Sequence, residues 1–268
     1  MGAISGVDLA VTGAVGVERW RIWHKGTFEP YSACGLDGGM GRAPAVKDWW
    51  GWFTGVSRTA PFPGDDLSLV AGMGNGKGVT GTAKVSGLTI RGSVEKGGPV
   101  RYICEFAGNG LLTLGDAAAT CSASVTIYNA MDMHILLDDA AEVDVREIEL
   151  KFRMILKPYA STTVPGVTKR TNGVLDARVE WKLYNDTPSI LAGLNATKEV
   201  KVRVAPADAP LYWTVSKCKV SALEEFGGEK LSEENMGGTM VAEADFSRAG
   251  TTLGLVTDPD GNTKFPFA

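Results

Sequence analysis

Glu147-Ile148-Glu149-Leu150-Lys151-Phe152-Arg153-Met154-Ile155-Leu156 alternates charged and apolar side chains. Successive side chains of an extended chain point to opposite faces, so this spacing divides the segment into two surfaces. Ile148, Leu150, Phe152 and Met154 share one side, and Glu147, Glu149, Lys151 and Arg153 share the other. A half-buried β-strand is the element that uses both.

The same alternation recurs at residues 179–183, 200–204 and 211–215, and less regularly at 20–22, 83–90, 100–106 and 124–128. Turn signals stand between these runs: Gly97-Gly98, Gly108-Asn109-Gly110, Asn185-Asp186 and Gly227-Gly228. The 34 glycines are scattered without a collagen-like period, as in a chain of short strands and many turns. Helical cues are few, with single turns expected at 65–72, 188–193 and 231–235. The expected fold class is mainly β.

Three stretches recur in the same order about half a chain apart. Ser68-Leu69-Val70-Ala71-Gly72-Met73 resembles Ser189-Ile190-Leu191-Ala192-Gly193-Leu194, an offset of 121. Lys84-Val85-Ser86 recurs as Lys219-Val220-Ser221, an offset of 135. Gly97-Gly98, Phe106 and Thr113-Leu114-Gly115 recur as Gly237-Gly238, Phe246 and Thr252-Leu253-Gly254, at 139–140. Each match is weak alone, but their collinearity points to duplication, with a longer loop in the second copy. Two tandem β domains are therefore expected, residues 1–136 and 137–268, each with at most one short helix. Long turn-rich segments follow the first strand of each, at 26–44 and 158–173, where a duplicated scaffold would reach a neighbour.

Composition removes several functions. A chain of 268 residues can bury about 70–75% of its unfolded surface, so disulfide staples are optional. Cys34, Cys104, Cys121 and Cys218 have no metal-ligand or redox spacing and read as buried free thiols. No basic stretch precedes an apolar N-terminal run, and no window approaches 18 apolar residues; synthesis in the cytoplasm and no membrane insertion are expected. A net charge of −4 argues against a surface that grips nucleic acid.

Chemistry-bearing motifs fail on context. His24 and His134 are the only histidines, and neither stands in a nucleophilic or metal-binding pattern. Gly76-Lys77-Gly78-Val79-Thr80-Gly81 matches a dinucleotide fingerprint in letters only, without the strand before and helix after that hold a pyrophosphate, and reads as a flexible turn. Asp258-Pro259-Asp260-Gly261-Asn262 opens like a calcium loop but lacks the closing glutamate, which leaves a tight turn. Asp65-Asp66 and Asp138-Asp139 read as solvated turn residues rather than glycosidase acids. No catalytic residue, cofactor or metal ligand is nominated.

Trp49-Trp50-Gly51-Trp52-Phe53 cannot direct three indoles into one core. A strand with tryptophans on two buried faces, a subunit interface built on Trp49, Trp50 and Trp52, and a sugar-stacking platform all fit.

Gly81-Thr82-Ala83-Lys84-Val85-Ser86-Gly87-Leu88-Thr89-Ile90, then Val94-Glu95-Lys96-Gly97-Gly98, then Tyr102-Ile103-Cys104-Glu105-Phe106-Ala107-Gly108-Asn109-Gly110 resembles the central strand, glycine-pair turn and following strand of phage tail tube proteins. The stretch from Lys219 to Gly254 is similar to a degraded second copy. The resemblance implies β-sandwich domains whose strands join neighbours into a ring-shaped inner barrel, with rings stacked into a tube in the virion tail. Two domains per chain imply three chains per ring and six pseudo-equivalent positions. It implies that the partners are further copies of the chain, the tape measure protein and the tail terminator and tip proteins, with DNA passing through unbound. In that setting Glu147, Glu149, Lys151 and Arg153 are expected to face the lumen. A carbohydrate-binding β-sandwich and another tail or head structural protein are the alternatives.

Overall fold

A computed structural model describes residues 2–6, 9–11, 14, 16–31, 40–57, 60–73, 76–116, 125–141, 145–160, 166–183, 197–222, 238–247 and 253–265. The first part of the chain forms β1 (Gly2–Gly6), β2 (Leu9–Val11), β3 (Val17–Tyr31), β4 (Gly41–Val56), β5 (Asp66–Gly72), β6 (Lys77–Ser93) and β7 (Arg101–Asp116). The second forms β8 (His134–Leu137), β9 (Ala140–Ala141), β10 (Val145–Met154), β11 (Lys157–Ala160), β12 (Thr168–Thr171), β13 (Leu175–Leu183), β14 (Thr197–Arg203), β15 (Tyr212–Ala222), β16 (Thr239–Ala244), β17 (Val256–Thr257) and β18 (Thr263–Phe265). The single helical element among the described residues is a 3-10 turn at Ala130–Asp132, capped by the Asn129 side chain on the Met131 amide.

The alternating segment is β10, with Ile148, Leu150, Phe152 and Met154 buried and the charged set on the other face. It pairs antiparallel with β6 on one side and β13 on the other, which joins the two parts of the chain in one sheet. The main path runs β1-β3-β4-β7-β6-β10-β13-β16-β15-β14-β8-β9, and β2-β5 branches from β6.

This path contains one strand order twice. Taken in chain order, β2 to β7 are six strands, and β8, β10, β13, β14, β15 and β16 are six more. Both sets hydrogen-bond in the sequence first, fourth, fifth, sixth, third, second. The expected boundary at 136/137 falls inside β8, and the second set begins with that strand.

Register makes the correspondence residue by residue. Ile22, Gly51, Phe106 and Val85 lie opposite one another across β3-β4-β7-β6. Leu150, Val179, Ala242 and Val220 lie opposite one another across β10-β13-β16-β15. Leu150 itself pairs with Ile90, five residues beyond Val85, and a bulge between Val85 and Gly87 absorbs one of them. The second row is thus staggered from the first by a net four residues over four strands.

Phe62, from the segment before β5, packs at 4.9 Å from Phe152 and 6.2 Å from Trp213 between ring centroids, so the core is continuous across the chain. Buried apolar residues of the eight-strand row merge with those of β5, β8 and β14, the two-layer arrangement of a β-sandwich.

Several local expectations change. Residues 66–72, expected to make a helical turn, form β5, because alternate residues Leu67, Leu69 and Ala71 are buried. The other two helical expectations, at 188–193 and 231–235, lie outside the described residues, as do the Asn185-Asp186 and Gly227-Gly228 turns, Ser189 to Leu194, Cys34 and Cys121. Gly108-Asn109-Gly110 is no turn but lies within β7, because the Trp49 indole fills the space above Gly108 and donates to the Gly110 carbonyl at 2.8 Å. Gly78 to Gly81 likewise belong to β6 rather than a flexible turn. Residues 125–128 form no strand. Gly97 and Gly98 do make a turn, both at positive φ. Cys104 and Cys218 are buried free thiols.

Candidate functional site

The face of the sheet opposite the core carries the charged set of β10. Strand pairing brings Lys151 beside Arg178, and Glu149 beside Glu180, on adjacent β13. Like charges directly opposite repel, and the face resolves this with oppositely charged neighbours along each strand and across to the next. Lys151 lies 3.2 Å from Glu149 and 3.0 Å from Glu180, and Lys182 lies 2.9 Å from Glu147. Arg178 sits 2.7 Å from Glu180 as an ion pair outside hydrogen-bond geometry, and 3.8 Å from Glu243. Arg153 is exposed at the end of the row, opposite Asp176. The result is a mixed-charge surface on which most ions are neutralised by neighbours.

The tryptophan cluster splits across the two faces. Trp49 and Phe53 enter the core, while Trp50 and Trp52 are half-buried on the charged face. There Trp50 pairs with Trp23 and Trp52 with Arg21, and the Arg21 guanidinium stacks 5.5 Å from the Trp23 ring centroid. By register, Trp23, Trp50 and Trp52 occupy the positions that Lys151, Arg178 and Glu180 hold in the second set of strands. One part of this surface is aromatic where the other is ionic. A cleft of about 360 Å³ runs past Ile4, Lys47, Trp49, Leu112 and Val167, but Trp49 forms its wall with its indole N–H already committed to Gly110.

The described residues of the turn-rich segments expected to be paired loops form antiparallel strand pairs. β3 and β4 extend into one arm, and β11 and β12 form the other. Pro30 pairs with Arg42 in the first and Pro158 with Arg170 in the second. Pro30-Tyr31, Arg42 and Asp48 recur as Pro158-Tyr159, Arg170 and Asp176 at a constant separation of 128 residues. This equal spacing was the sequence signal for the arms, and it is easily missed because the matched residues are isolated.

The second arm rests on the first set of strands. Its Arg170 Nη2 donates to both carboxylate oxygens of Asp48, at 2.8 and 2.7 Å, and its Nη1 donates to the Gly108 carbonyl. The Arg170 amide donates to Asn109 Oδ1 at 2.7 Å, and the Lys47 amide donates to the Gly166 carbonyl at 2.8 Å. The Arg170 side chain is only 10% exposed, so its charge depends on these acceptors.

The remaining candidates do not converge. His24 is on β3 and exposed; His134 is on β8 opposite Arg203, and partial burial, then that guanidinium, hold its pKa below the usual range. Asp65 accepts from the Phe62 amide and Asp66 pairs with Lys84. Asp138 and Asp139 form a positive-φ turn, paired with Lys198 and Lys201. Asp258 closes the β17–β18 turn by accepting the Asp260 and Asn262 amides at 3.0 and 2.8 Å. Among the described residues no group of three or more His, Cys, Asp or Glu could hold a metal ion, and no helix is long and apolar enough to cross a membrane.

Comparison of the sequence with protein-family models and with curated proteins finds no match.

Proposed function

We propose that this chain is a phage tail tube subunit, a structural protein of the virion whose two domains, 1–136 and 137–268, supply neighbouring positions of a ring. The observation that carries the reading is the repeated strand order joined through β6 and β10. A unit that pairs head to tail with its own repeat has a heterologous interface, and such interfaces close into rings when the rotation permits.

The stagger supports closure. Four residues over four strands is one residue per strand, the shear ratio of (β/α)₈ barrels, whose strands tilt by about 36°. Three chains would place eight strands each in the wall. At about 4.8 Å between strands and that tilt, the backbone diameter is about 45 Å. Side chains reduce this to a bore of about 35 Å, wider than a DNA duplex, by the same geometry.

Glu147, Glu149, Lys151 and Arg153 would then face the bore with Trp50 and Trp52. Charges neutralised by neighbours give DNA no run of free cations to hold, which suits a conduit. Partners are further copies of this chain and, by resemblance, the tape measure, terminator and tip proteins; no cofactor is required.

Electron microscopy and mass measurement of purified protein test the reading. Rings or tubes with a wall of about 45 Å diameter and three chains per ring are expected from the strand geometry. A protein that stays monomeric at all concentrations, with tail initiators present, would overturn it. Quenching of tryptophan fluorescence by a member of a glycan panel would favour the carbohydrate-binding alternative.

A further inference from the structure

β6 and β7 carry their apolar face on past Trp49. Val79 lies opposite Leu114, and Gly81 opposite Leu112. Val79 is buried, whereas Leu114 is 68% exposed and neighbouring Leu111 53%. Val79 and the three leucines line the cleft of about 360 Å³ beside Trp49, a size within the range of roughly 300–1,000 Å³ common to small-molecule pockets. Ile4 of β1 and buried Val167, just before β12, add to the apolar lining. The Trp49 wall is fixed in advance, because its indole donates to the Gly110 carbonyl at 2.8 Å and meets Phe106 edge-on at 6.0 Å between ring centroids. A preformed wall spares a ligand the cost of ordering it.

The free charges at this cleft are of one sign. Asp48 is the only carboxylate among its lining residues, and both of its oxygens already accept from Arg170. Lys25 and Lys47 also line the cleft, and neither has an ion-pair partner among the described residues. Lys47 stands two residues before Trp49 on the same face of β4, and His24 lies directly opposite Trp49 on β3. We infer that the cleft binds an amphiphilic carboxylate, a single acyl chain seated along Val79, Leu112 and Leu114 with its head group on Lys47. The apolar walls select the chain, and the free ammonium selects the anion through a charge-assisted contact. A neutral chain would leave that ammonium unpaired, and a cationic one would be repelled. Every lining residue belongs to one chain, so the inference stands apart from the tail tube reading.

Calorimetric titration of the full chain with decanoate below its micelle concentration tests the site, with decanol and decyltrimethylammonium for comparison. The expected result is one decanoate per chain, bound about tenfold more tightly than decanol, and no binding of the cation. Lys47→Glu and Leu114→Asp alter exposed side chains. Each is expected to weaken decanoate by about tenfold or more while the urea unfolding transition stays in place. Decanol or the cation binding as tightly as decanoate would overturn the anion selection, and variants that bind decanoate like wild type would overturn the location. Wild-type chain that gives neither heat nor a change in tryptophan emission with decanoate would overturn the site itself. Two further results would assign the cleft to another occupant and overturn the inference: self-association of the chain lost in Leu114→Asp with no decanoate bound by wild type, or binding to phosphatidylglycerol vesicles without binding of free decanoate.

Discussion

The Arg170 guanidinium, carried by the β11–β12 hairpin, forks over the Asp48 carboxylate on β4 at 2.8 and 2.7 Å, 122 residues away in the chain. This contact fastens one repeated set of strands to the other beyond the β6–β10 ladder. It also places a cation in a site where water has limited access.

Arg170→Ala should destabilise the fold by about 2 kcal/mol, since it strands Asp48 and the Gly108 carbonyl without their donor. Asp48→Ala should cost a similar amount by leaving the guanidinium short of its counterion. Urea unfolding of both single variants and the double should give a coupling energy of about 1–2 kcal/mol. Additive losses would show that the pair contributes packing rather than charge.

Gly108→Ala places a Cβ against the Trp49 indole nitrogen, well inside van der Waals contact. The ring must move and its bond to the Gly110 carbonyl must break. A loss of about 1–3 kcal/mol is expected from overpacking, together with a shifted tryptophan emission. Ala244, which stands at the register equivalent of Gly108, has no such indole above it, because Ala177 replaces Trp49 there.

Alkaline pH should weaken the fold through its thiols. Burial pushes Cys218 up to about 12 from an ordinary value near 9, and burial, reinforced by Asp65, raises Cys104 as well. Above about 9 the unfolded chain releases these protons while the folded chain keeps them. Stability is therefore fully present below that pH and falls as pH rises toward 12. Denaturant titrations from pH 8 to 11 should show the decline, and Cys218→Ala and Cys104→Ala should each reduce its slope. Native protein should leave both thiols unmodified by thiol reagents at pH 8.

At the acid end His134 acts with the opposite slope. Its pKa is held down by burial and then by Arg203, so the folded state resists the proton that the unfolded chain accepts below about 6.5. Stability should be complete above that pH and diminish as pH falls through the lowered value. His134→Gln should flatten this part of the profile, while His24→Gln serves as the comparison on an exposed strand face.

Lys151→Met should have a small and salt-dependent effect. The side chain is 29% exposed, with its ammonium between Glu149 and Glu180, a setting in which ion pairs contribute about 0–1 kcal/mol. A difference from wild type that shrinks between low and high salt is expected in urea titrations. A loss independent of salt would mean that the aliphatic stem, not the charge, matters at this position.

The two faces of β10 were legible because burial follows a period of two, and each residue from Glu147 to Met154 reports its side directly. The repeat was only partly legible because its two copies solve packing differently. Phe106 lies opposite Gly51 in one row, and Ala242 lies opposite Val179 in the other, so volume is shared differently between neighbouring strands. Sequence matching also paired Phe106 with Phe246, whereas register pairs it with Ala242; look-alike residues four places apart displaced the alignment.

That this chain is built of strands, which side of β10 is apolar, and that related segments recur all follow from local spacing along the chain. Tertiary structure alone decided that β6 and β10 join the repeats in one sheet and that Arg170 finds Asp48. It also decided that Trp49 is buried while Trp50 and Trp52 share a face with the charges of β10. Those facts depend on which strand lies beside which, and backbone hydrogen bonds are nearly blind to side-chain identity. Register across the sheet emerges only when all the buried faces must close over one core.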